Sequence, residues 1–98
     1  APIRVTPILL QSGAWQARLL PEAGGLIAAL TCGDAPILRT MPLGATDPLA
    51  AACFPMVPWC NRIGAGRFGW EGRVVALAPN FPPERHAIHG HGWQSPWQ

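Results

Sequence analysis

Charge is what this sequence has least of. Only 12% of its residues are charged, against about a quarter in an average soluble domain. Lysine is absent, so the seven basic residues are all arginine, and they are scattered without forming a run. A nucleic-acid surface normally shows a basic stripe with interleaved aromatics; none occurs here, and the net charge of +2 points to no polyanionic partner. No apolar stretch approaches the ~20 residues needed to cross a bilayer. At the N-terminus, "APIRVTPILL" has neither the apolar core nor the small-residue cleavage pattern of a secretory signal. The cysteines, Cys32, Cys53 and Cys60, are odd in number and form no CxxC pair, which excludes a full disulfide framework and reads as free thiols in a reducing compartment. A soluble, cytoplasmic protein with no membrane partner is the expectation.

Against this scarcity stands an excess of apolar residues. Hydrophobic residues make up 49% of 98, with five tryptophans, more than a chain of one small domain can readily cover by itself. The surplus predicts packing against something else: a second copy, or further parts of a larger fold.

Twelve prolines and eleven glycines punctuate the whole length and exclude long helices. Between them lie short segments of strand character. "PILLQ" and "WQARLL" flank Ser12-Gly13, and "LIAALT" and "PILRT" flank Gly33-Asp34. "GRFGW" and "RVVAL" surround Glu71-Gly72, which reads as a tight hairpin. The terminal "GWQSPWQ" has the look of a strand beginning. One helical candidate exists, "TDPLAAACF" at 46–54, with Thr46 or Asp47 as cap and Pro48 in the first helical position, for one or two turns at most. Short antiparallel strands joined by Gly/Pro turns predict an all-β sandwich, or part of one.

Two segments carry candidate chemistry. In "ERHAIHGHGW", His86, His89 and His91 fall within six positions. As a metal site, His89 and His91 would share one face of a strand and His86 would complete a three-nitrogen set with an open fourth position. Gly90 and Gly92 argue against a regular strand there, and no cysteine or carboxylate stands at ligand spacing; the expectation is no metal and no cofactor. Proton transfer and ordinary packing are the other readings of these histidines. In "VPWCNRIGAGRF", Asn61-Arg62 sits in a Gly/Pro-rich loop before a hairpin. Arginine offers a rigid fork of donors and asparagine both a donor and an acceptor, which suits a hydroxyl-rich ligand. The plainer alternative is an arginine held by a backbone carbonyl and an asparagine forming an Asx-turn.

Taken together, "NRIGAGRFGWEGRVVALAPNFPPERHAIHGHGWQSPWQ" resembles the N-terminal signature of the aldose 1-epimerases, or galactose mutarotases. The matching positions are Asn61, Arg62, Ile63, Gly66, Phe68, Gly72, Leu77, Asn80, His89 and Gly90. The "HGHGW" form, with His91 where the family usually has a second glycine, resembles a bacterial branch. The resemblance implies a galactose-mutarotase-type antiparallel β-sandwich, of which residues 1–98 would be the N-terminal portion. It implies interconversion of the α and β anomers of a free hexose by acid–base ring opening, with neither metal nor nucleotide. Substrate contacts fall by resemblance on Asn61, Arg62 and His89, the last in a supporting catalytic role. The family's principal acid, a histidine, and its base, a glutamate, lie beyond residue 98 in family members; Glu71 and Glu84 match neither position. The resemblance therefore implies a chain inactive by itself that associates with itself or with the remainder of the fold. A carbohydrate-binding module of the same fold, without catalysis, is the alternative.

Overall fold

The computed structural model describes residues 5–98. It is all-β: eight strands and four 3-10 turns, with no α-helix among the described residues. Strands β1 (Ile8–Ser12), β2 (Trp15–Leu20), β3 (Leu26–Cys32) and β4 (Ala35–Leu38) pair in sequence order as one antiparallel sheet. Strand β5 (Arg62–Ile63) pairs with β8 (Ala87–Ile88), and β6 (Arg67–Trp70) pairs with β7 (Arg73–Ala76), each as an antiparallel ribbon.

Turn chemistry sets these registers. Trp70 pairs with Arg73, leaving Glu71 and Gly72 as a two-residue loop with φ of 47° and 75°. Positive φ at both positions gives a turn whose twist matches that of the flanking strands. Gly33-Asp34 closes β3–β4 as anticipated, since Cys32 pairs with Ala35. In the first hairpin Ser12 still pairs with Trp15, so the turn is Gly13-Ala14, one residue later than the Ser12-Gly13 reading. Gly13, at φ 58°, is the residue that tolerates the left-handed conformation.

Segment 46–54 forms a single 3-10 turn, Pro48–Ala50, where the Asp47 carboxylate accepts a 2.9 Å bond from Leu49 N–H. It stops there because the following chain is drawn out straight. Ala51 is already extended, and the Cys53 carbonyl accepts from Ile27 N–H at 3.0 Å. The terminal segment differs from expectation. Gly92–Gln94 is a 3-10 turn, not the start of a strand. Pro96 has no N–H for a ladder, and the Trp97 indole turns back to donate to Gly92 O at 2.8 Å.

The described chain divides into two compact units, the first running up to Pro55 and including Gly92–Gln98, the second being Met56–His91. In the first, Leu20, Ala23, Leu26, Ala28, Met41 and Ala51 form a small buried core, with Phe54 packed against it. Gly24 is required there: at φ 78° a Cβ would overlap the Trp93 carbonyl oxygen. The core is too small for the apolar inventory. All five β1 residues are exposed, on both faces of the strand, and Leu9, Leu43, Trp70 and Val74 are 75%, 86%, 63% and 65% exposed. No described helix is long and apolar enough to cross a membrane.

Candidate functional site

The second unit assembles the residues singled out by sequence. Strands β5 and β8 pair for only two residues because the chain turns left-handed beyond one end of each. Asn61 has φ 62° and His89 has φ 59°, a conformation that asparagine and histidine tolerate better than most residues. These two face each other across the ribbon and are joined twice. His89 N–H donates to the Asn61 carbonyl at 3.0 Å, and Asn61 N–H donates to His89 Nδ1 at 2.9 Å. A neutral imidazole that accepts at Nδ1 carries its proton on Nε2. The ring of His89 is thus docked on backbone through Nδ1.

Arg62, the next residue on β5, extends a half-exposed guanidinium to Glu84. Both its Nε and its Nη2 donate to Glu84 Oε1, at 2.9 and 2.5 Å. The arginine is therefore held by a carboxylate and not by a backbone carbonyl. Asn61 does bond local backbone, its Oδ1 accepting from Arg62 N–H at 2.8 Å; this resembles the expected Asx geometry one residue early.

The other two histidines go elsewhere. His86 Nδ1 accepts from Ala65 N–H at 2.8 Å and braces the Gly64–Gly66 turn, where Ala65 is left-handed at φ 55°. His91 donates its backbone N–H to Val57 O at 2.8 Å, and its ring meets Trp59 edge-on at 5.3 Å. Gly90, at φ 67°, breaks the alternation that would have put His89 and His91 on one strand face. No group of three metal-ligating side chains occurs among the described residues.

Asn80 has a part that sequence reasoning noted only as a motif position. Its amide Nδ2 donates to Ile88 O at 2.8 Å and to Gly90 O at 3.0 Å, while Oδ1 accepts from Ile88 N–H at 2.8 Å. One side chain thereby clamps the backbone on both sides of His89. Each such bond is worth about 0.5–1.5 kcal/mol net, and groups left unpaired cost more. Asn80→Ala is therefore expected to lower unfolding free energy by about 2 kcal/mol in urea titrations and to speed amide exchange at Ile88. An unchanged midpoint would show that the clamp contributes nothing.

Of the five carboxylates, only Glu84 is bonded to this cluster. Glu22 accepts from Thr6 N–H and Asp47 caps its turn, both in the first unit, while Asp34 and Glu71 occupy hairpin loops.

The family model described as aldose 1-epimerase matches residues 8–98. The uncharacterized protein YphB of Escherichia coli (strain K12) is 40% identical over 79 residues, covering 79% of this chain and 26% of YphB. The crystal structure of a candidate aldose 1-epimerase from Escherichia coli K12 superposes with a TM-score of 0.90 at 34% identity, over 97% of this chain and 32% of that one. A galactose mutarotase-like protein from Clostridium acetobutylicum superposes with a TM-score of 0.74, over 93% of this chain and 29% of that one; at 24% identity it speaks for the fold alone. The chain thus spans about a quarter of its curated relative and about a third of each solved neighbour.

Proposed function

The chain belongs to the aldose 1-epimerase family, and from that premise we propose that it carries the sugar-contacting part of an enzyme interconverting the α and β anomers of free hexoses. The observation that carries this reading is the double hydrogen bond between Asn61 and His89, which brings together, beside Arg62, the residues that the family resemblance assigns to the sugar. Ring opening requires a proton taken from the C1 hydroxyl and another delivered to the ring oxygen, with the roles reversed on closure. Arg62 and the Asn61 amide supply donors for sugar hydroxyls. The resemblance assigns His89 a supporting role where charge develops at the ring oxygen. No metal or nucleotide is needed for this chemistry.

The principal acid and base are not among these residues. Glu84 is engaged by Arg62, so no carboxylate of the cluster stands ready to take the C1 proton. A carbohydrate-binding module on the same fold would share the sugar contacts and differ in having no catalytic complement. The three free thiols fit a reducing, cytoplasmic setting.

Calorimetric titration with galactose or glucose tests the site. Arg62→Ala is expected to weaken binding about tenfold, the cost of one charge-assisted hydrogen bond. Affinity indifferent to that change would remove Arg62 from the site.

The exposed apolar residues of β1, with Leu43, Trp70 and Val74, support association with a second copy or with the rest of the family fold, since strand edges and uncovered apolar faces both promote pairing. Sedimentation at high concentration is expected to show oligomers of the isolated chain, and a persistent monomer would contradict this.

A further inference from the structure

We infer that Glu84 makes this sugar site selective for neutral aldoses over their phosphate esters, an inference that rests on the reading of Asn61, Arg62 and His89 as sugar contacts. A single oxygen, Glu84 Oε1, takes bonds from both Nε and Nη2 of Arg62. That places a full negative charge against the one cation of the cluster. The carboxylate is well held: Glu84 N–H closes a turn onto Phe81 O at 2.8 Å, and Pro82 and Pro83 within that turn have fixed φ. It is also the less exposed partner, 29% against 48% for Arg62.

The pairing uses one edge of the guanidinium and leaves Nη1 as a directional donor. A neutral hydroxyl needs direction more than net charge, and that edge can supply it. A phosphate dianion depends on uncompensated positive charge; here the charge of Arg62 is offset by the Glu84 carboxylate beside it. Arg85, next in the chain, is exposed and cationic, but its charge is the same whatever stands at position 84, so a comparison of Glu84 variants cancels it.

The test compares affinities of the chain for galactose and galactose 6-phosphate in wild type, Glu84→Gln and Glu84→Asp, at low and moderate salt. The wild type is expected to bind galactose at least as tightly as the phosphate. Glu84→Gln should tighten phosphate binding about tenfold, the scale of one unit charge acting on a dianion at a few ångströms in a largely aqueous setting. The readout is the ratio of phosphate to galactose affinity, which should rise, and the phosphate gain should shrink as salt rises. Glu84→Asp keeps the charge and should keep the discrimination, which separates electrostatics from misfolding. A wild type that prefers the phosphate, or a Glu84→Gln variant with an unchanged ratio alongside intact galactose binding, overturns this inference alone. Binding of neither ligand by any of the three proteins overturns the sugar-site reading and the inference with it.

Discussion

Freshly dissolved α-galactose or α-glucose is expected to mutarotate at the same rate in a solution of the 98-residue chain as in buffer. Each positioned acid or base contributes about 10²–10⁴-fold to a reaction of this type, and the family resemblance assigns neither member of the principal pair to the proposed site. His89 has its Nδ1 committed to the backbone of Asn61. It cannot take a proton at Nδ1 without breaking the contact that positions it. Glu84 is held in an ion pair with Arg62. Polarimetry is the check. Acceleration by the isolated chain, lost in His89→Ala, would mean that the site is complete within these residues.

Gly90→Ala should be the most damaging single-methyl change in the second unit, lowering its unfolding free energy by about 3–4 kcal/mol. The left-handed conformation at φ 67° costs a residue with a Cβ about 1–2 kcal/mol. The added carbon would also overlap the Val57 carbonyl oxygen. That carbonyl is backbone and cannot swing aside as a flexible side chain would. Relief requires the two chains to part, which strains the 2.8 Å bond from His91 N–H to Val57 O and the 3.0 Å bond from Asn80 to Gly90 O. Denaturant unfolding followed at the Trp59 indole checks this. Near-wild-type stability would show that the approach of Gly90 to Val57 is looser than the geometry states.

The contrast between Gly90 and the hairpin glycines shows what sequence can and cannot convey. Gly33 and Gly72 act within two-residue loops, so the turn signal is local and the flanking strands follow from it. Even there, the first hairpin shifted by one residue, because both Ser12-Gly13 and Gly13-Ala14 are acceptable turn pairs and the pairing of Ser12 with Trp15 decides between them. Gly90 matters through Val57, far off in sequence, and nothing near it announces that contact. The same holds for the cluster. Asn61, Arg62 and His89 were legible as a set only through the ordered motif and its family resemblance. What joins them, a backbone amide docked on an imidazole 28 residues away, has no signature in composition or spacing. Arg62–Glu84 and His86–Ala65 span 22 and 21 residues and were equally invisible. The three-histidine cluster, the most conspicuous feature of the sequence, resolves into three separate tasks, because Gly90 turns left-handed between His89 and His91 and the rings of His86, His89 and His91 meet Ala65, Asn61 and Trp59. The terminal "GWQSPWQ" misled in another way: its strand-like residues are spent on contacts of Trp97 with Gly92 and Pro21.

Asn61, Arg62 and His89 are proposed to form one surface for one sugar. Galactose titration of the ¹⁵N-labelled chain, following the Arg62 side-chain Nε–H, the Asn61 side-chain amide and the His89 imidazole nitrogens together, decides this. All three are expected to move with one saturation curve, the His89 nitrogens to keep the pattern of an Nε2-protonated ring, and Arg62→Ala to shift the response of the other two to about tenfold higher galactose. Shifts confined to other residues, or three groups responding with unrelated curves, would contradict it.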